Sequence, residues 1–485
     1  MIVAKNNFKE VLRDKTFALL NKNEYEVRYV NPLELITYDR LDIVAKYLYV
    51  KYFDLNVDSD YAEKLYLKHI EYFNSFYESD GSNKLGKSEF LKSFNSVISS
   101  IKKNGYDKDF IIPLSENNSI YDGSHRVAIC AYYGIQLPVI SVDGNAGSYD
   151  YKYFKNRGLC SQSLDSLALE YLKLKKNVYI ITLWPSSGGG KEAELSQLFK
   201  KYGNVVYRKE VYLENDGSVQ VVKNAYKDES WLGSCKDNYI GARNKASWCF
   251  SKKGAVRVIL FESNLDMIKM KDEIRSLFQI DKHAVHINDT KEEALVLAGL
   301  FFNENSIKWM NGSVIREFSW FERLLLHYKE WIEDNEIPRD EICIDGSSTL
   351  AVYGVREVRD LDYISFSDEL DGTGFKEISS HNNELQYHPV GKDEIIFNPK
   401  YHFIVDGYKY VSLDIVKVMK KARGEKKDLD DLVMIDKVIT RRLTYVPISE
   451  RIRVITQISF WKARIKFYLL KGRYYYLLIK RKISN

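Results

Sequence analysis

The sequence predicts a mixed α/β and α+β chain of three modules. Length is the first reason. At ~100–200 residues per domain, 485 residues divide into three. Alternation is the second: short runs of β-branched and aromatic residues alternate with segments whose apolar residues recur at helical spacing. Punctuation is the third. Gly and Asp-Gly turns close these runs, and with only 8 Pro in the chain no long disordered linker is expected. A 45% hydrophobic fraction with 36 Tyr and 23 Phe supplies cores of useful size. The expected modules are 1–150, 176–311 and 313–445, followed by a basic segment over 446–485.

Composition narrows the function classes. A net charge of +5 is too small for a dedicated nucleic-acid binder, so nucleic acid is not an expected partner. Cys130, Cys160, Cys235, Cys249 and Cys343 are odd in number, and no two stand at metal-ligand spacing. Free thiols in a reducing cytosol fit them best. The opening MIVAKNNFKEVLRDK lacks the apolar core of a signal peptide. No run reaches the ~18–20 apolar residues of a membrane span. A cytoplasmic enzyme of bacterial type is therefore expected. From Arg451 to Asn485 there are ten Lys or Arg and no Asp or Glu, interleaved with Ile, Phe, Trp, Leu and Tyr. Two readings of 446–485 stand side by side. One is a basic amphipathic helix making peripheral contact with the inner face of the membrane. The other is a terminal helix packed on the last module with its basic face in water.

In the first module, SFNSVISSIKKNGY has helical spacing and FIIPLS reads as a strand. SIYDGSHR reads as strand then turn, VAICAYYG as a helix ended by Gly134, and LPVISVD as a strand. The Asp-Gly turn sets Gly123, Ser124, His125 and Arg126 at a helix start. Exposed N–H groups, the helix dipole and a guanidinium there make an anion site. This stretch resembles the ParB/sulfiredoxin fold, over about 26–142 and most specifically 98–142. The resemblance implies a nucleotide- or phosphate-binding pocket. The Asp-Gly-x-His-Arg form is that of the family's small-molecule kinases, and sulfiredoxin's catalytic cysteine is lost, Ser124 being the nearest small polar residue. No catalytic acid stands out from the sequence beyond Glu34 in NPLELI.

GSYDYKYFKNRGLCSQS reads as a connector, leading into the amphipathic helix DSLALEYLKLKKN. In the second module NVYIITLW, VVYRKEVYL, AVRVILFE and HAVHIN read as strands, and KDEIRSLF and TKEEALVLAGLFF as helices. SSGGGKEAE fails the P-loop pattern, because Pro185 takes the first Gly position and Glu192 follows the lysine. EIRSLFQIDKHAVHINDTKEEALVLAGLFF resembles the signature of nucleoside diphosphate kinase, over about 177–305. That implies a ferredoxin-like fold, with His286 accepting phosphate, Arg275 binding it, and Asp289, Thr290, Glu292 and Ala294 in register. The family's Lys-Pro is Trp184-Pro185 here, and its glycine after the histidine is Ile287. His286 is thus either a phosphoacceptor or a buried structural histidine.

The third module opens with a long helix, VIREFSWFERLLLHYKEWIED. EICIDGSSTLAVYG then reads as strand, turn and helix, and RDLDYISF as a strand. HFIVDGYKYVSL reads as a hairpin turning at Asp406-Gly407. LDIVKVMKKARGEKKDLDDLVMIDKVI reads as helical. Asp360 and Asp362, at i and i+2 on one strand, point to one face and can hold a divalent metal through oxygen. Gly346-Ser347, opening a helix, offers N–H groups to phosphate. A phosphate cradle beside Mg²⁺ is what phosphoryl or nucleotidyl transfer needs.

IDGSSTLAVYGVREVRDLDYISF resembles the polymerase-beta-type nucleotidyltransferases, and more narrowly the abortive-infection type, over about 313–440. The resemblance implies Mg²⁺ and an NTP (ATP or CTP) as cofactors. It gives Asp360 and Asp362 the metal, Gly346 and Ser347 the terminal phosphate, and Lys420 with Arg423 the triphosphate. Lys427, Asp428 and Asp431 match its Lys-Asp-x-x-Asp. Asp345 replaces the first Gly of the family's Gly-Gly pair. Asp406 and Asp414 both compete for its third carboxylate. The expected partners are a nucleotide and a phosphorylated small molecule, in surface-glycan synthesis or related metabolism. Two alternatives are a nucleotide-sensing or defence-type regulator that modifies RNA or protein, and a non-catalytic scaffold.

Overall fold

The computed structural model describes residues 1–78, 84–368, 370 and 373–440. The basic segment 446–485 lies outside them. Among the described residues no helix is long and apolar enough to cross a membrane.

The chain is mixed α/β with several small sheets. β1 (Ile2–Ala4) and β2 (Glu24–Glu26) pair antiparallel at the N-terminus. β3 (Arg28–Val30), β4 (Ile112–Leu114) and β5 (Leu137–Ser141) form a sheet of order β3-β5-β4, antiparallel then parallel. Helices Leu41–Leu55, Tyr61–Asn74 and Lys87–Asn104 precede β4. SIYDGSHR forms no strand, only a bridge between Leu114 and Ile120. The helix Ser124–Tyr133 starts at Gly123 (φ 89°), where an added Cβ would meet Ile112 Cδ1 at 2.5 Å. It ends on left-handed Gly134, as expected of a C-terminal glycine.

The second sheet has order β7-β8-β6-β9 and is antiparallel throughout: β6 (Val178–Leu183), β7 (Asn204–Val211), β8 (Val256–Glu262) and β9 (Val285–Ile287). The third runs β12-β11-β10-β14-β13, from β10 (Ile342–Asp345), β11 (Leu361–Ser365), β12 (Ile378–Ser380), β13 (His402–Val405) and β14 (Tyr408–Val411). β13 and β14 form the hairpin expected at Asp406-Gly407, where both residues have positive φ (50° and 78°). Such φ values match the twist of a two-residue hairpin.

Two helices differ from expectation. The long helix begins at Ser319, not Val314. Val314 N–H instead donates to Tyr353 O (2.9 Å), and its carbonyl lies against Gly354 so closely that a Cβ there would meet it at 2.2 Å. The segment expected as one helix over 413–439 is two, Leu413–Arg423 and Lys426–Ile439. Gly424 takes left-handed φ (68°), and Glu425 with Asp428 closes a capping box on the second.

One apolar cluster runs through all three regions, from Leu35 on the first helices through Leu172 and Leu297 to Val411. A second cluster, including Ile181, Phe199, Phe261 and Met270, covers the other face of the middle sheet. Polar contacts stitch the same junction. Tyr52 Oη donates to Phe397 O (2.7 Å) and Lys173 Nζ to Asp340 (2.7 Å). Lys51 and Lys409 stand 3.6 and 3.8 Å from the same carboxylate.

Candidate functional site

The third sheet brings Asp362 to the Gly-Ser turn, whereas Asp360, expected on the same strand, lies just before it. β10 and β11 run antiparallel in a register that sets Asp345 opposite Asp362. Gly346 turns the chain with φ 63°, and Ser347 opens a helix of only 6 residues, too short to contribute much dipole. A Cβ on Gly346 would lie 3.0 Å from Asp362 Oδ2 and 3.4 Å from His381 Cε1, so both side chains pack against the bare turn. Asp362 is half-buried on β11, whereas Asp360 precedes the strand and is exposed. Burial first, then the charges of Asp360 and Asp345, pushes the Asp362 carboxyl up to about 6 against the pull of His381 and Arg423.

Asp345, the residue that departs from the Gly-Gly pattern, has no exposed surface. His381 Nδ1 hydrogen-bonds its Oδ2 at 3.0 Å, and His388 Nε2 lies 3.0 Å from the same oxygen. Burial alone would raise the Asp345 carboxyl, but the two histidines hold it well below the usual range. His381 Nε2 faces Asp362 Oδ2 at 3.4 Å. Burial opposes the imidazolium, yet the Asp345 hydrogen bond and the Asp362 and Asp345 charges leave the His381 pKa raised.

Lys420 and Arg423, expected at the triphosphate, are paired inside the fold. Lys420 has no exposed surface. Its Nζ lies 2.9 Å from Asp431 and 3.3 Å from Asp428, and it meets the site only by donating to Ser347 Oγ (3.2 Å). Arg423 donates twice to Asp428 (3.0 and 2.8 Å), though its charge still reaches Asp362. Lys427 is exposed beside Glu425. Arg356, which sequence reasoning missed, donates to Ser347 Oγ (2.8 Å) and Asp431 (3.0 Å). Ser347 therefore sits on a paired network in which its hydroxyl already accepts two hydrogen bonds.

Neither candidate for the third carboxylate joins the site. β14 is parallel to β10, so Asp406, in the turn before β14, lies at the far end of the sheet. There it pairs with Lys329 (2.6 Å) and Lys227 (2.9 Å). Asp414 follows β14 at the near end but is exposed, with Lys308 at 3.9 Å. Among the described residues, no group of three or more His, Cys, Asp or Glu side chains is gathered to hold a metal alone.

In the middle region His286 and Arg275 do come together. They share a cavity of about 610 Å³ with Tyr226, Trp231, Lys245 and Lys271. His286, on β9 opposite Thr182, is buried, its Nε2 is unpartnered, and the Tyr226 ring stands 4.7 Å away. Burial, helped by Lys271, Lys245 and Arg275, lowers its pKa to about 3, so the imidazole is neutral at pH 7. Thr290 caps the helix Lys291–Phe301, and Trp184 is fully buried. Nothing in spacing pointed to Lys245, on the helix Ile240–Cys249, or to Tyr226, just after the helix Gly217–Ala225.

In the first region Gly123, Ser124, His125 and Arg126 line a cavity of about 430 Å³. The His125 ring sits between Tyr66 (Oη at 3.1 Å) and Phe94. Arg126 lies over the Phe110 ring at 4.2 Å. Glu34 is exposed on the short turn Pro32–Leu35 and does not line this cavity; the acids that do are Glu78 and Asp122. Arg40 and Lys46 line it and are buried around Asp42, with Arg40 Nε at 2.8 Å and Lys46 Nζ at 2.9 Å. Their signal was three charges inside the apolar run RLDIVAKYLYV.

No protein-family model matches this chain, and no curated protein or solved structure matches it.

Proposed function

We propose that the chain is a transferase that uses Mg²⁺ and an NTP, ATP or CTP, to nucleotidylate or phosphorylate a phosphorylated small molecule. The third region carries the main chemistry. The observation that supports this reading most is the packing of Asp362 against the bare Gly346 turn, with Asp360 beside it and Ser347 held by Arg356 and Lys420. Residues of three separate stretches meet at one sheet end, where a nucleotide's terminal phosphates could lie against the turn.

Mg²⁺ fits the donors present. It keeps water and substrate phosphates as most of its ligands and needs only one or two carboxylates from a protein. Asp360 and Asp362 would hold it, and when bound it would neutralise charge developing on the phosphates. Gly346 lets Asp362 and His381 pack close against the turn. Ser347 presents a hydroxyl oriented by two cations.

The middle region supports the kinase side of the proposal. Its strand order, β7-β8-β6-β9, is that of a ferredoxin-like sheet, the fold of nucleoside diphosphate kinase. A neutral, unpartnered imidazole nitrogen among cations is suited to accept a phosphoryl group. The first region, read as ParB/sulfiredoxin-like, would supply a further phosphate pocket at the helix start after Gly123.

The test is incubation of the chain with each labelled NTP, Mg²⁺ and a bacterial metabolite extract, comparing wild type with Asp360→Asn/Asp362→Asn. Labelled small molecules lost in the double variant are the expected result. Equal labelling by both proteins would refute the assignment. Label on RNA or protein would favour the defence-type alternative, and nucleotide affinity without turnover a scaffold.

A further inference from the structure

We propose that Lys245 is a carbonyl-reactive amine, and that the cavity of the middle region takes a small anionic aldehyde or α-keto acid as an imine on its Nζ. The inference goes beyond the proposed function: it needs neither the third region's site nor phosphoryl transfer to His286.

Lys245 stands apart from the other buried lysines. Among the described residues four lysines are buried: Lys46, Lys245, Lys409 and Lys420. Three face a carboxylate. Lys46 has Asp42 at 2.9 Å, Lys409 has Asp340 at 3.8 Å and Lys420 has Asp431 at 2.9 Å. Lys245 instead donates to the backbone carbonyl of Lys282 (2.7 Å) and lies 3.4 Å from His283 Nδ1. A buried ammonium without a counter-charge is costly, and losing its proton relieves the cost. Burial first, then the charges of Lys282 and Arg275, lowers the Lys245 pKa against the pull of Cys249 and Asp281. A desolvated lysine beside other cations is the form that condenses with carbonyl compounds.

The surroundings fit that chemistry. Lys245 lines the cavity of about 610 Å³ together with His283, Arg275 and Lys271. The His283 ring lies nearly flat on Trp248, with centroids 5.5 Å apart and 23° between planes. Burial and the charges of Lys245 and Lys282 lower its pKa, against Asp281, so the ring is a neutral base at pH 7. With its proton on Nε2, it offers the Nδ1 lone pair to the amine. A nucleophile and a base within reach of each other form the pair an activated nucleophile needs. Arg275, whose Nε is buried and unpartnered, and Lys271 supply cations for the ligand's carboxylate or phosphate. The step balances without a redox partner. Nζ attacks the carbonyl carbon, and the C=O electron pair moves onto oxygen. His283 Nδ1 relays the two amine protons to that oxygen, which leaves as water as the C=N bond forms.

The experiment uses the full chain, glyoxylate as the probe and cyanoborohydride to reduce the imine, read by peptide mass spectrometry. Carboxymethyl-lysine is expected at Lys245 about tenfold faster than at exposed Lys427, because each unit by which a lysine pKa falls raises its neutral fraction about tenfold. Lys245→Arg keeps the charge and should abolish the fast labelling. His283→Gln should slow labelling at an unchanged half-saturating glyoxylate concentration, and Arg275→Gln should raise that concentration. Labelling of Lys245 no faster than that of Lys427 overturns the inference. So does glyoxylate that binds by calorimetry without a reducible adduct on Lys245, which leaves an anion pocket only. If Lys245→Arg does not fold by circular dichroism, the adduct map of the wild-type chain decides by itself. Labelled phosphate on His286 with Lys245 unreactive would refute this inference and leave the proposed function standing.

Discussion

Replacing Lys420 with Met separates two roles for that lysine. If Lys420 supports Ser347 from within the fold, the change lowers stability. If it touches the triphosphate, the change lowers nucleotide affinity. The ammonium is fully buried, with Asp431 at 2.9 Å, Ser347 at 3.2 Å and Asp428 at 3.3 Å. Removing one partner of a buried ion pair costs ~3–5 kcal/mol when the other charge is stranded. Here neither carboxylate is stranded, because Asp428 keeps Arg423 and Asp431 keeps Arg356. Met also retains the packing of the lysine stem. The expected loss is therefore near ~2 kcal/mol, from the hydrogen bonds to charged groups. Asp431→Ala should cost more, ~3–5 kcal/mol, since it leaves Lys420 and Arg356 with one remaining carboxylate between them. Urea unfolding followed by circular dichroism measures the stability, and equilibrium dialysis of labelled NTP measures the affinity. An unchanged urea midpoint in Lys420→Met, together with a tenfold loss of NTP affinity, would refute the buried-support role.

Two further outcomes follow from the same geometry. The folded-state pKa of His286, about 3, lies below its ordinary 6.5, so its contribution to stability is complete above 6.5 and is lost as pH falls from there toward 3. Each unit of that window costs up to ~1.4 kcal/mol; His286→Gln should flatten this part of the stability–pH curve, and an unchanged slope would show that the imidazole is solvated. Gly354→Ala should cost well over the ~1–2 kcal/mol of left-handed strain alone, because its Cβ would meet Val314 O at 2.2 Å. Gly374→Ala, with similar φ (73°) and no heavy atom within 4 Å of the added Cβ, should show the strain alone, and equal urea midpoints for the two would exclude the clash.

Local chemistry was legible in the sequence, and pairing across distance was not. The Asp406-Gly407 hairpin, the Gly134 helix stop and the four middle strands follow from turn residues and periodicity within short windows. The meeting of Asp362 with the Gly346 turn was legible because both lie within one strand–turn–helix–strand unit. The break at Gly424 was hidden by helical formers on both sides, and only the left-handed glycine with its Glu425 capping box decides it. His381 carries no local signal: it lies in a polar loop, and its contacts are with Asp345 and Asp362 on neighbouring strands. The pairing of Lys420 was not legible, because Asp428 and Asp431 lie one helix later and a sequence does not show that the two helices fold back on each other.

The continuity of the apolar interior has a practical consequence for dissecting the chain. Residues 313–440 cannot be lifted out without baring the Phe397 and Ile404 side that Tyr52 and Gly299 now cover. Excision would also strip Asp340 of two of its three lysine neighbours. Fragments cut at the sheet boundaries should therefore aggregate, and recombining them in trans should restore solubility.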